Sequence, residues 1–323
     1  MGGNEREDFT VGNLTVENLV GGVAPFTGFG KSFYLDPTNG SDGNSGLNPR
    51  QAKATMADGY ALLTAGRNDT LVYLSGSSSL SIEAFTWAKS YTHFVALGAP
   101  THAAQRARIF NSTTTQTASA ALLTISASGC IFKNFYIFQG EDTNQAQKCV
   151  TVTGGRNYFE NVHFAGMGHA SISSETDSDS LFMNGAEENL FKKCTIGVTT
   201  TKRTGVNTQI RFDGSAKRNV FEKCKITNWS ETAGHPLITE ADAAAMEDYN
   251  IFEDCLFFNF WTNHGGTLTE VMDANVGSTH DTIFINPLMV GIAEIDAGDV
   301  ASIKATGPAM ATTTGIAVTP ATT

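Results

Sequence analysis

The chain is poor in charge, in long apolar runs and in metal-ligand spacings, and each shortage removes a class of function. Charged residues make up 16% of the 323 residues, below the roughly 25% of an average soluble domain. The 21 Lys and Arg are outnumbered by 32 Asp and Glu, a net charge of −11. Phosphate contacts need clustered basic residues, so nucleic acid and anionic membrane surfaces are excluded as partners. No apolar run approaches the ~18 residues of a membrane-spanning helix, and the start Met1-Gly2-Gly3-Asn4-Glu5-Arg6 has no basic-then-apolar leader. Synthesis in a reducing cytoplasm is the expectation that follows. The 5 cysteines are odd in number and contain no Cys-x-x-Cys spacing, and the 7 histidines offer no paired ligands. No metal site, cofactor site or catalytic residue is assigned from the sequence.

What the chain does have is an internal repeat. Phe132, Phe159, Phe191, Phe221, Phe252 and Phe284 recur at steps of 27, 32, 30, 31 and 32 residues, each inside a similar octet such as Asn189-Leu-Phe-Lys-Lys-Cys-Thr-Ile and Asn219-Val-Phe-Glu-Lys-Cys-Lys-Ile. Repeats of this length indicate stacked units. Within each octet the buried-type positions fall at offsets 0, 2, 5 and 7. They alternate as in a strand, but the parity flips at polar pairs such as Lys192-Lys193, Glu222-Lys223 and Glu253-Asp254. A helix has an apolar period of 3.6 and gives no such flip. Two short strands meeting at a bend do, with the polar pair outside the corner. One copy per turn then stacks Phe on Phe, Cys194 on Cys224 on Cys255, and Asn157 on Asn189 on Asn219 on Asn250.

These ladders, with the opening segment Tyr34-Leu-Asp-Pro-Thr-Asn-Gly-Ser-Asp-Gly-Asn-Ser-Gly and the Ala/Thr-rich stretch after Pro49, resemble the right-handed parallel β-helix of the pectate-lyase-like superfamily. The fold expected is all-β: a single-stranded right-handed parallel β-helix of about eight or nine turns, with a short N-terminal capping helix. The resemblance covers residues 31–295. Residues 1–30 read as an arm for anchoring to a partner, and 296–323 as a low-complexity tail. Residues 51–65 place Met56, Tyr60 and Leu63 on one helical face, which would cover open strand edges. Polar segments at 165–187, 197–217, 227–248 and 258–280 recur at one phase and are expected to emerge as loops along one side.

The superfamily serves lyases, hydrolases, tailspikes and inert virion proteins, so fold does not decide function. Candidate carboxylates for glycan chemistry are Asp177 with Asp179, Arg211 with Asp213, Glu240 with Asp242, and Asp273. Glycoside hydrolysis needs two carboxyls across the scissile bond, whereas isolated acidic residues in polar loops are ordinarily solvated. The motifs of polygalacturonases are missing, and Gly168-His169 and His264-Gly265-Gly266 are only partial echoes of them. Asp36 and Asp42 around Gly40 offer oxygen ligands for Ca²⁺, and equally suit a plain turn. His163 has outward parity. Lys202-Arg203 and Lys217-Arg218 are too sparse for a phosphate track. Trp229, Phe258, Phe260 and Trp261 suit stacking on sugars, an interface, or packing between loops.

The reading drawn from the sequence is a non-enzymatic bacteriophage virion structural protein, a capsid decoration or head/tail surface protein. Its location would be the virion and its partners other virion proteins of the capsid or tail, as a homo-oligomer, by analogy a trimer, with a host surface glycan as a further ligand. The alternatives are a tailspike-like polysaccharide depolymerase (lyase or glycoside hydrolase) and a carbohydrate-binding cell-surface β-helix. One outcome follows from the ladder alone. Cys194, Cys224 and Cys255 should resist thiol reagents until the chain unfolds, and fast labelling of the native protein would put that column on the outside.

Overall fold

A computed structural model describes residues 30–111, 121–142, 145–262, 266–275, 277–298 and 302–306. The chain winds into a parallel β-solenoid whose strands stack into three sheets of ten, eight and seven strands, each in monotonic chain order. A single turn runs from Tyr158–Glu160 in the first sheet to His163–Ala165 in the second and Asp179–Asn184 in the third. Seven turns contribute to all three sheets, with partial turns at both ends. This is the right-handed parallel β-helix expected from the repeat, with seven full turns in place of the eight or nine expected.

The aligned phenylalanines are direct rung neighbours: Phe132 pairs with Phe159, then Phe191, Phe221, Phe252 and Phe284. Their rings stack nearly parallel with centroids 4.5–5.3 Å apart, close to the strand spacing of ~4.8 Å. Phe94 extends the column by one turn. The five cysteines are free and buried. In the stacked trio each thiol donates to a phenylalanine carbonyl one turn back, at 3.6 Å for Cys194, 3.3 Å for Cys224 and 3.2 Å for Cys255.

The corners explain the parity flip. Asn134, Asn161, Lys193, Lys223, Asp254 and Asn286 stand between the first- and second-sheet strands, and all six have φ between 48° and 63°. One left-handed residue turns the chain and swaps the side facing inward. At the preceding corner the asparagine ladder satisfies the buried backbone. Asn157 N–H donates to Asn189 Oδ1 (3.0 Å), Asn189 N–H to Asn219 Oδ1 (3.1 Å) and Asn219 N–H to Asn250 Oδ1 (3.1 Å). The Nδ2 groups return to the carbonyls of Ala127, Gly154, Ala186 and Ala216. Outside this corner runs a ladder of charge, Arg156 to Glu188 to Arg218 to Asp248.

Several expectations need correction. The helix is confined to Met56–Ala61, because Lys53 is already bridged to Leu35 and Thr55 caps the helix by accepting from Asp58 N–H. It still places Met56 in the core at the N-terminal end, beside Leu63. The four polar segments are not simply loops: each holds a third-sheet strand, Asp179–Asn184, Thr208–Asp213, Ile238–Glu240 and Met272–Asp273. Only two or fewer core positions per strand mark them in the sequence. Strand Ile303–Thr306 pairs with Asp281–Ile285, so strand pairing continues past residue 295 into the stretch read as a tail. The remainder of that stretch and the arm at 1–29 lie outside the described residues. Phe221 is fully buried between Phe191 and Phe252, so Phe221→Ala should cost about 3–5 kcal/mol. A chemical-denaturation midpoint equal to wild type would contradict the ladder's energetic role.

Candidate functional site

The outer face of the third sheet is where candidate residues converge. Register places Thr124, Thr151, Phe182, Arg211, Thr239 and Asp273 in one outward row. The sequence treated Asp177 with Asp179 and Arg211 with Asp213 as separate pairs, but the fold joins the first pair to Arg211. The Arg211 guanidinium bonds Asp177 through one amino group and lies 3.2 Å from Asp179 through Nε. Lys148 completes the cluster: its ammonium lies 3.8 Å from Asp179 Oδ2, donates to the Asp177 carbonyl at 3.1 Å and sits 4.9 Å over the Phe182 ring.

The two carboxyls have opposite surroundings. The Asp177 side chain is 56% exposed and that of Asp179 is fully buried. Burial drives the Asp179 pKa upward, Arg211 and Lys148 pull it back, and the balance lies at about 7. A carboxyl titrating near neutrality beside a second, solvent-facing one, with two cations in contact, can give and take protons while neutralising negative charge on a bound group. The same network also staples the turn at 176–179 to two neighbouring strands.

The other candidates do not join this cluster. Asp213 and Asp242 accept from the nearby N–H groups of Gly214 and Ala244 as turn residues. Glu240 has inward parity and is buried against His280 Nε2 at 2.9 Å, with Asn275 N–H and the Ser278 hydroxyl on its Oε2. Asp273 stands on the outward row, two strands beyond Arg211. Asp36 accepts from Thr38 and Asn39 N–H, and Asp42 from Ala54 and Thr55 N–H. Both carboxylates thus act as turn acceptors, and no group of three or more metal-ligating side chains occurs among the described residues. His169 caps a short helix and faces Asp142 at 3.4 Å, while His264 and Gly265 lie outside the described residues.

Two polar side chains are more deeply buried than their residue types suggest. His163 points away from the core as its parity requires, yet it is only 6% exposed, because the segment after Leu97 folds over it. Ala104 N–H donates to its Nδ1 at 3.0 Å, and its Nε2 lies 2.8 Å from the Gly197 carbonyl. Arg203 is not on the surface either: its guanidinium is buried and donates to the Pro236 and Asn207 carbonyls. Burial lowers its pKa to about 9, which leaves it charged at neutral pH. Trp229 and Phe260 pack edge-to-face at 5.5 Å on the outer face of the second sheet, half-buried together with Phe258 and Trp261. Lys148 and Phe182 were not legible as site residues, since only the strand register brings them to Arg211.

No family profile matches the chain, and no curated protein sequence matches it. Its fold is shared by solved structures. Pectin methylesterase PemA from Erwinia chrysanthemi superposes with a TM-score of 0.56 at 14% identity, covering 88% of this chain and 92% of that one. A rhamnogalacturonan lyase gives 0.58 at 15% identity, over 80% of this chain and 68% of the other. The pectin methylesterase from Aspergillus niger gives 0.52 at 12%, over 87% and 91%. At such identities the likeness establishes architecture alone, and the architecture is the parallel β-helix.

The Asp179 environment yields a pH dependence. Its native pKa of about 7 lies above the ~3.9 of an unfolded aspartate, so the native state holds a proton that the unfolded chain has released. This group's contribution is full below about pH 4 and falls as pH rises through the window to about 7. Asp179→Asn should flatten the fall in melting temperature across that window. A slope retained in the variant would assign the titration to another group.

Proposed function

We propose that this chain is a polysaccharide-processing β-helix protein that meets its glycan on the outer face of the third sheet. The observation that carries this reading is the Asp177–Arg211–Asp179 constellation with Lys148 at its edge. It gathers two carboxyls of unlike environment and two cations at one point of the sheet face. In this reading the exposed Asp177 exchanges the proton with the glycan, and the buried Asp179, holding its own proton to about pH 7, orients Arg211. Arg211 and Lys148 balance negative charge on the sugar. Phe182, against the Lys148 ammonium, offers a flat apolar surface to a sugar ring.

The solved structures sharing this fold include a pectin methylesterase and a rhamnogalacturonan lyase, which supports the polysaccharide alternative over the virion structural reading. That reading finds no support among them. Carbohydrate binding without turnover remains the second reading, favoured by the half-buried Trp229–Phe260 pair.

The test is turnover by the full chain on a panel of acidic and neutral polysaccharides, followed by reducing-end and unsaturated-end release. Arg211→Gln, with an unchanged melting temperature, should lower turnover about 100-fold or more. Undiminished turnover in that variant would move the site elsewhere. Glycan retention without turnover, lost in the same variant, would establish the binding reading. A chain inert toward and unretained by every polysaccharide would overturn both.

A further inference from the structure

A second polar cleft lies away from the third sheet, where the segment after strand Thr92–Leu97 doubles back across the second sheet. That segment is pinned by three side-chain contacts. The Thr195 hydroxyl donates to the His102 carbonyl (2.7 Å), Ala104 N–H to His163 (3.0 Å) and the Gln105 amide to the Asn161 carbonyl (2.8 Å). Between its Pro100–His102 wall and the left-handed corner of the solenoid is a cleft of about 470 Å³, whose floor includes Asn134, Glu160, Lys193 and Lys223. Lys225 neighbours Thr195 in the strand register and acts electrostatically on His102.

The charge in this cleft is positive. Most of the charged side chains elsewhere on the solenoid, from Arg156 and Lys192 to Lys217 and Arg218, are ion-paired. Lys193 and Lys225 have no ion pair among the described residues, and Lys223 meets only Glu222, at 3.3 Å on an exposed edge. Glu160 is the one carboxylate lining the cleft, and it is neutralised by Lys133 at 2.5 Å. Burial and then Lys225 lower the His102 pKa, partly opposed by a hydrogen bond with the Lys193 backbone.

Nothing in the fold asks for lysine here. Positions 134, 161 and 286 of the same corner column are asparagine and 254 is aspartate, the residue types that best tolerate left-handed backbone. Lys193 and Lys223 have φ of 52° and 54°, and they place like charges on adjacent rungs, ~4.8 Å apart along the stack. Arg156, Glu188 and Arg218 share this backbone conformation at the neighbouring corner but alternate in sign, whereas stacked lysines carry like charge, which the fold alone does not favour. In a chain of net charge −11, unpaired ammonium groups facing a walled cleft have an anion as their natural complement.

The geometry points to an anion-binding site, taking a phosphate or carboxylate group of a saccharide-sized ligand between Lys193, Lys223 and Lys225. The cleft volume is within the range of small-ligand sites. The Asn134 amide nitrogen, with no hydrogen bond among the described residues, is placed to donate to an adjoining hydroxyl. The site is separate from Arg211 and does not depend on turnover there.

Calorimetric titration of the full chain at low ionic strength tests the assignment, with inorganic phosphate, glucuronate and glucose as probes. The wild type should bind one or both anions saturably and glucose not at all, and the tighter anion names the ligand class. A Lys193→Gln/Lys225→Gln variant should bind the anion at least about tenfold more weakly, with a shallower salt dependence. Absence of saturable anion binding, equal affinity in the double variant, or equal binding of glucose would each overturn the site.

Discussion

The asparagine ladder is the constraint on which the remaining architecture rests. A solenoid corner buries backbone N–H and C=O groups that no strand partner reaches, and each orphaned group would cost about 1–3 kcal/mol. Asn157, Asn189, Asn219 and Asn250 supply an acceptor to the turn before and a donor to a carbonyl beside it, at 0–2% exposure. Because every side chain bonds to the next rung, the ladder fixes register as well as satisfying polarity. A slip of one residue would break it and turn the phenylalanines outward. The stacked rings, the thiol column and the outer charge ladder inherit their alignment from it.

That dependence also explains what was legible beforehand. From the ladder asparagine through the phenylalanine to the second-sheet strand there is no insertion between copies, so the columns align by simple counting. The third sheet is different. Phe159 precedes the third-sheet residue Leu181 by 22 positions, whereas Phe221 precedes Ile238 by 17. The variable turn between second and third sheets destroys the period, and with it the visible register of Lys148, Phe182 and Arg211. Asp177, Asp179 and Arg211 were recognisable as candidates by residue type, but their meeting was not. The burial of His163 was hidden for another reason. Parity says which way a side chain leaves a strand, and it is silent about a distant segment, such as 98–107 over His163, that comes to cover it.

The third-sheet cluster gains its chemistry from this division of labour. Inward residues of the same strands, Leu181, Met183, Ile210 and Phe212, are fully buried and hold the strands rigidly, so outward groups are set by strand register and not by loop conformation. Asp179 sits at the edge of that order, where the strand begins, fully buried under Arg211. Its desolvation opposes ionisation more strongly than two cations favour it. A stability-driven design would place a small polar residue there. The retained buried carboxyl therefore separates this corner from the paired surface ladder of Arg156, Glu188, Arg218 and Asp248, where each charge has an accessible counterpart and modest individual worth.

The same reasoning distinguishes the two polar regions of the rod. Around Arg211 the groups are of both signs, with Asp177 ion-paired and Asp179 held protonated to about pH 7 by burial, an arrangement suited to moving a proton. At the left-handed corner positive charge predominates, and Lys193 and Lys225 have no ion pair among the described residues. Stacking amplifies this second case. Because neighbouring rungs repeat the same geometry at ~4.8 Å, residues at equivalent corner positions stand side by side, and Lys193 beside Lys223 makes a charged edge that neither would make alone. A solenoid can thus build a binding surface from single-residue changes at one phase of its repeat, leaving the ladder that specifies the fold untouched.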